Sequence, residues 1–406
     1  MPAPFRPSTH IIKSPDEEVE RTVRGNGHQL HLPPPPNGSR PRIAIILTQL
    51  GFGGAERQTV ELLRLLKSTD WEPSLIVCLS DQLEPYASTV QRLGYRLEVL
   101  QRHSSFDLDR LYKLRSLLGR ERIQIVHAVH LLASGYTWLS QFGSSGIRAV
   151  PSIRCAEVYP GWARKWIYRK MFNDSPRAIA NSHSGAEFVC DALGAPRERL
   201  AIVPNGVDFK ELRRQAEPPI LRAMLNLPPE TPILGFVGKD TPGKNVPLFL
   251  DVAHRVMSCV EGTHAVLLGG GLSEFARDKF YPQLPKERIH FLGTREDLPA
   301  LVADMSCLLV TSLSEGCPNA VLEALGLGTP VVSTDVGDVE RMIVQGENGF
   351  VVHSGDAEDL AAAVMDVLES GGEGREGVRM NWSALEKSYS IESMVNRTVE
   401  LWREIL

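Results

Sequence analysis

The chain has 406 residues, 43% of them hydrophobic, and a formal net charge of −5. That length exceeds what one hydrophobic core organises, so two domains are expected, and the charge gives no general reason to bind nucleic acid. The six cysteines are scattered with no CxxC pair, and no apolar run approaches the ~18 residues that span a bilayer. Both features suit a cytoplasmic protein without a disulfide or zinc framework.

Residues 1–40 mix charge with HLPPPPNGSRP and show no sustained period, which predicts a disordered leader. From Arg42 short apolar runs follow one another: RIAIILT, PSLIVCL, RLEVL, IQIVHAV, RAVPSI, RAIAN and LAIVPN. Amphipathic segments separate them, such as AERQTVELLRLLKS with Val60, Leu63 and Leu66 on one side. Continuous apolar strands alternating with helices predict a parallel sheet covered on both faces, a first domain over 41–210. The Pro-rich seam EPPILRAMLNLPPETP leads into a second series, ILGFVGK, HAVLLGG, RIHFLG, SCLLVTS, TPVVST and GFVVH, over 211–390. YSIESMVNRTVELWREIL closes the chain as an amphipathic helix over 391–406. The expected fold is α/β, two doubly wound, Rossmann-like parallel-sheet domains facing a cleft. Ligands of such sheets sit outside the carboxyl ends of the strands.

Several strand ends carry polar or glycine-rich chemistry. The first leads into LGFGGAER, where Gly51, Gly53 and Gly54 let backbone approach an anion at a helix start. The third glycine of the dinucleotide pattern is misplaced and the second strand ends only at Asp81, which argues against NAD or FAD. A plain tight turn also explains these glycines. FDLDR offers Asp107 and Asp109 in an Asp-x-Asp pattern, but the helical LYKLRSLLGRER that follows makes capping the simpler reason. No metal is expected. Residues 159–172 mix Trp162, Trp166 and Phe172 with Arg164, Lys165, Arg169 and Lys170. Such a helix can dock on an anionic membrane; an ordinary amphipathic helix with Trp166 in the core is the competing reading.

FVGKDTPGKN places Lys239 and Lys244 after another strand, where cations would stabilise a departing diphosphate. SCLLV is of buried-strand type, so Glu315 in TSLSEGCPN lies on the loop at its carboxyl end. Pro318 suits the first helical position, Glu323 lies on the helix behind, and Gly326 or Gly328 ends it. Backbone N–H groups in the stretch Gly316, Cys317, Pro318, Asn319, Ala320 would take phosphate oxygens. One carboxylate could bind ribose hydroxyls and the other the hydroxyls of an attached sugar; local capping and pairing would equally explain two glutamates.

The motifs GFGGAER, IVHAV, IANS, VPNGVD, FVGKDTPGKN, FLGTREDL, SEGCPNAVLEALGLGTPVVSTDVGD and NGFVV fall in one order. Together they resemble the retaining glycosyltransferases of family 4, which have the GT-B architecture, from about Arg42 onward. The resemblance implies transfer of a sugar from a UDP- or GDP-linked donor to a glycan or lipid-linked acceptor, with no cofactor. It implies that Glu323 binds the ribose and Glu315 the donor sugar. Thr294 and Arg295 would lie by the base, Gly53 and Gly54 would face the diphosphate-sugar and acceptor, and the last helix would cross back to the first domain. Lys239 departs from the family's usual arginine, and Arg154 stands where many relatives carry a histidine. Arg154 cannot serve as a base at neutral pH; with His127 and Asn205 it is a candidate acceptor or phosphate contact. His127 and His130 are read as lying at the end of the strand IQIVHAV, and His130 is a second such candidate. A sugar-nucleotide epimerase or a non-catalytic binding module would share the architecture.

Overall fold

In the computed structural model the apolar runs form a seven-stranded and a six-stranded sheet. The structure describes residues 30, 32–36, 38–101, 107–141, 146–154, 161–273 and 284–406, leaving the side chains of 372–374 aside. The first sheet contains β1 (Ile43–Leu47), β2 (Leu75–Cys78), β3 (Leu97–Val99), β4 (Ile125–Ala128), β5 (Arg148–Ile153), β6 (Ala178–Ala180) and β7 (Leu200–Ile202), in spatial order β3-β2-β1-β4-β5-β6-β7. The second contains β8 (Ile233–Val237), β9 (His264–Leu268), β10 (Ile289–Gly293), β11 (Cys307–Val310), β12 (Val331–Thr334) and β13 (Gly349–Val352), in order β10-β9-β8-β11-β12-β13. Neighbouring strands run parallel in both. Strand order reverses at β1/β4 and again at β8/β11, and at such switch points the loops part to admit a ligand.

All five residues of β1 are fully buried, because helices cover both faces. Ile43, Ile45 and Leu47 point toward helices Gly54–Leu66 and Ile391–Ile405, while Ala44 and Ile46 meet Leu114, Leu117 and Leu118 on the opposite face. Each fully buried Leu or Ile contributes about 1.5–3 kcal/mol relative to exposure. This double covering explains why the strands read as unbroken apolar runs rather than as alternations.

The Ile391–Ile405 helix starts at Ser390, whose hydroxyl accepts from Ser393 N–H at 3.2 Å. Its buried stripe, with Met394, Val395, Val399 and Trp402, joins the core of the first half although it follows the second in sequence. The two crossings of the chain lie side by side: Val207 N–H donates to Tyr389 O at 2.9 Å, and Ile391 N–H to Val207 O at 3.1 Å.

Helix Phe209–Gln215, capped by Asp208, packs on the second half through Phe209 and through Arg213 Nε, 2.9 Å from Gly326 O. A boundary between 210 and 211 therefore cuts a helix; the second half begins near Val207. The leader also needs correction at its end. Leu30 and Leu32 pack against the first core, Pro35 is buried, and Trp71 Nε1 donates to Pro33 O at 2.6 Å. A run of prolines has no apolar period, yet its carbonyls are free to satisfy a buried indole. Residues 1–29 of that leader lie outside the described residues, as do 159 and 160 of the basic aromatic segment.

In the helix Trp162–Asp174 the core is filled by Tyr168, Met171 and Phe172, and Trp166 is exposed. Asp107 accepts from Arg110 N–H at 3.0 Å as a helix cap, and Asp109 pairs with Lys113. The five described cysteines are free thiols; Cys155 lies outside the described residues. No described helix is long and apolar enough to cross a membrane.

Candidate functional site

The loops at the two switch points face each other, and polar side chains fill the space between. After β8 the chain turns through Pro242–Lys244, and after β11 it turns through Thr311–Pro318. These adjacent strands bring Lys244 and Glu315 together: the ammonium is hydrogen-bonded to Glu315 Oε1, and Ser312 Oγ donates to the same oxygen at 2.7 Å. Leu313 N–H, 2.8 Å from Gly243 O, ties the two loops at the backbone. Thr311 Oγ1 reaches the carbonyls of Lys244 and Asn245 at 3.0 and 3.1 Å. Lys244 therefore has a fixed position.

Glu323 lies one helical face behind, mostly buried, with its carboxylate paired to the guanidinium of Arg57 from the first half. Pro318 is the N-cap rather than the first helical residue. The helix runs Asn319–Gly326, with Leu327 as its cap and Gly328 at φ +81° beyond it. Asn319 Oδ1 accepts from Asn205 Nδ2 at 2.9 Å and Gln58 Nε2 at 3.2 Å, and Asn205 Nδ2 also reaches Cys317 O at 2.7 Å. The chain needs glycine at 54 because a Cβ there would stand 2.9 Å from Asn319 Nδ2. Gly316 meets the first half just as closely, since its Cβ would lie 2.6 Å from Asn181 Oδ1 and 2.7 Å from Arg154 O. Ala320 is half-buried on the first turn of the same helix. At Gly53, the N-cap of the first helix, a Cβ would overlap the carboxylate of Glu56.

Arg154 reaches Asn205 Oδ1 through its terminal nitrogen at 3.3 Å, while its Nε has no hydrogen-bond partner. Burial pulls this guanidinium down to about 10. Asn181 Oδ1 and His130 Nε2 are also buried atoms without hydrogen-bond partners. His130 holds φ +74°, a left-handed conformation costly for a side-chain-bearing residue and concentrated at functional sites. Its Nε2 lies 3.5 Å from Glu56 Oε1. Burial alone would raise Glu56, but nearby His130, with the Glu56 backbone N–H and Gln49, outweighs it and holds the carboxyl below its usual value. These donors and acceptors suit a ligand rich in hydroxyl and phosphate oxygens. Cys317 beside them has its thiol pushed up to about 12 by burial, so it offers no thiolate.

Three sequence candidates lie outside the Lys244–Glu315 cluster. His127 sits within β4, 1% exposed, with Nε2 at 2.9 Å from Ser152 Oγ and the ring edge-on to Trp402. It was placed at a strand end and instead belongs to the core, where an acceptor cannot reach it. Burial, with Arg154 adding to it, lowers its pKa to about 3, so it is neutral. Arg295 is held bidentately by Asp297 at 2.9 and 2.7 Å, and Thr294 lies beside Gly270 at the end of β9. They occupy the rim rather than the Lys244–Glu315 cluster. Lys239 donates to Phe52 O across the cleft.

Sequence reasoning missed four contributors where the halves meet: Arg57, Gln58, Asn181 and Asp338. Asp338 accepts from His183 N–H at 2.7 Å and Ser184 N–H at 3.1 Å, and its carboxylate also meets His183 Nδ1 at 2.9 Å. Ser182 takes the next N–H, from Gly185, so the first turn of helix His183–Leu193 is capped jointly by both halves. The signals available were the positions of Arg57 within GFGGAER, Asn181 within IANS and Asp338 within STDVGD. Among the described residues one exposed trio, Asp335, Glu340 and His353, places three potential metal ligands within 4.8 Å of one another. His353 is raised by its hydrogen bond to Asp335 at 3.0 Å.

Two family models match the chain: "Glycosyltransferase Family 4" over residues 52–211 and "Glycosyl transferases group 1" over 231–370, together well over half of it. Among curated proteins, an Escherichia coli UDP-Gal:alpha-D-GlcNAc-diphosphoundecaprenol alpha-1,3-galactosyltransferase is 23% identical over 347 residues, covering 82% of this chain and 89% of that protein. The Vi polysaccharide biosynthesis protein VipC/TviE of Salmonella typhi is 26% identical over 415 residues, covering 90% and 72%. Among solved structures, Anabaena HepE in complex with UDP has a TM-score of 0.75 at 18% identity, covering 90% of this chain and 100% of that one.

Proposed function

For a chain that belongs to the family 4 and group 1 glycosyltransferases, with their GT-B fold, we propose transfer of a hexosyl group from a UDP- or GDP-linked donor to a hydroxyl of a glycan or lipid-linked acceptor. The reading includes retention of configuration, independence of metal or other cofactor, and action in the cytoplasm. The observation that carries it is the ion pair of Lys244 with Glu315 at the β8/β11 switch point, with Glu323 on the helix directly behind. One cation and one carboxylate on adjoining loops, with a second carboxylate on the helix behind, match the parts of a nucleotide sugar: diphosphate, hexose and ribose. The UDP named in the HepE structure and the galactosyl donor named for the E. coli relative favour a uridine diphosphate sugar.

In this mechanism the acceptor hydroxyl attacks the anomeric carbon from the face the diphosphate is leaving. The bond from that carbon to the bridging oxygen breaks as the new glycosidic bond forms, and the hydroxyl proton passes to a donor phosphate oxygen. Lys244, Lys239 and the helix start at Pro318 receive the charge growing on the diphosphate. A positioned donor to such an oxyanion contributes about 2.7–4 kcal/mol, against roughly 0.3–1 kcal/mol for an exposed helix end, so the lysines dominate. Glu315 orients the sugar and holds Lys244 in place. Glu323 takes the ribose hydroxyls, with Arg57 beside it. Arg154 supplies positive charge and no base. Closure of the halves excludes water and limits hydrolysis.

The test is donor turnover measured with and without acceptor, in chelator and after added divalent metal. Acceptor-dependent release of nucleoside diphosphate, indifferent to chelator, is expected. Conversion of the donor sugar in the absence of any acceptor would replace transfer by epimerisation.

A further inference from the structure

We propose that the outer helix layer of the first half docks on an anionic phospholipid bilayer, through the helix turns nearest the cleft. Three consecutive helices, Leu108–Arg120, Leu131–Ser140 and Trp162–Asp174, cover one face of the first sheet and touch one another. Each follows a strand and runs back antiparallel to it, so their first turns share the carboxyl edge of the sheet, where the site opens. Those turns carry Leu108 at 63% exposure, Tyr112 at 72% and Trp162 at 87%, together with exposed Leu132 and Trp166. These five are half of the ten large apolar side chains exposed among the described residues. Scattered exposed apolar groups are ordinary; five gathered on three successive helices of one layer are a concentration.

The Trp162–Asp174 helix gives the patch its charge. Trp162, Trp166, Arg169 and Lys170 recur at helical spacing on the outward face, away from buried Tyr168, Met171 and Phe172. Arg164 and Lys165 are exposed on the first turn beside them, and no acidic residue occurs in this helix before Asp174. Indole rings with basic side chains between them suit the headgroup layer, where the rings enter the acyl boundary and the cations meet phosphates. A bilayer held there faces the mouth of the cleft. The docking does not depend on the transferase reading; its use, presenting a lipid-linked acceptor to Lys244 and Glu315, rests on it.

The experiment is co-sedimentation of the full chain with phosphatidylcholine vesicles, with and without phosphatidylglycerol. Binding is expected only with phosphatidylglycerol, falling as salt is raised. The double variant Arg164→Glu with Lys165→Glu should bind at least roughly 30-fold more weakly, from about fivefold per basic residue at such a surface. Trp162→Ala should lose part of the vesicle-induced blue shift of tryptophan fluorescence. All these side chains are exposed, and an unchanged melting temperature verifies the fold. Equal binding to both vesicle types, no binding by the wild type, or full binding by the double variant each overturns the proposal; a face reserved for a protein partner would give the second result. Transfer to a water-soluble acceptor should be unchanged in both variants. Transfer absent while vesicle binding persists would remove the transferase reading and leave the docking intact.

Discussion

Lys244 is fixed by Glu315, whose same oxygen also accepts from Ser312, so its charge is preorganised rather than recruited on binding. Lys244→Ala should lower kcat by about 10²–10³, the loss typical of one oxyanion donor, with a smaller change in donor affinity. Steady-state kinetics with a nucleotide sugar measure this, and a loss confined to KM would assign Lys244 to simple binding. His127 predicts a different effect. Its folded pKa is depressed, so the unfolded chain binds the extra proton and stability is lost as pH falls from about 6.5 toward about 3. His127→Gln should therefore be less acid-sensitive. Relative to its own stability at neutral pH, it should lose about 2–3 kcal/mol less than wild type near pH 4.5. Urea unfolding at the two pH values reads this difference, and parallel losses in both proteins would contradict it.

At the scale of elements, the Ile391–Ile405 helix is held chiefly by apolar contact, with one partly exposed ion pair, Arg177 to Glu404 at 3.2 Å, beside it. Trp402 is fully buried against the first core, so Trp402→Ala should cost about 3–5 kcal/mol of stability. Thermal and urea unfolding check the cost, and a loss under 1 kcal/mol would mean that the helix is not integral to that core. The strands were legible because burial on both faces writes itself as apolar runs such as IAIIL and CLLV. Glu315 and Lys244 were legible as polar residues just past such runs. His127 was misplaced because β4 continues one residue beyond it, and a shift of that size decides between core and cleft. Arg57 and Asp338 were illegible because each finds its partner across the two halves, and no period within one segment encodes that. Trp166 read as core because amphipathic spacing alone does not say which face is covered; Tyr168, Met171 and Phe172 took that place.

For the molecule as a whole, the cleft is spanned by polar links: Lys239 to Phe52, Arg57 to Glu323, Asn205 to Asn319, and Asp338 to the start of helix His183–Leu193. Asp338 N–H also donates to Gly316 O at 2.9 Å, so this link sets how the first half meets the loop that carries Glu315. Asp338→Ala should cost about 0.5–2 kcal/mol as a lost cap. It should also broaden the distribution of distances between the halves, as read by small-angle X-ray scattering, while leaving Lys244 and Glu315 intact. A scattering curve identical to wild type would show that the remaining links suffice.

The same crossing helix has a consequence for biosynthesis. The first sheet is translated through Ile202, but the helix that seals one of its faces emerges only after Ile391. At ribosomal rates of ~5–20 residues per second, the nascent sheet waits roughly 10–40 s with an apolar flank unsealed. Stalled or truncated chains would present that flank to chaperones and proteases, and a ribosome-bound fragment ending before Ile391 should be their client where the finished polypeptide is not.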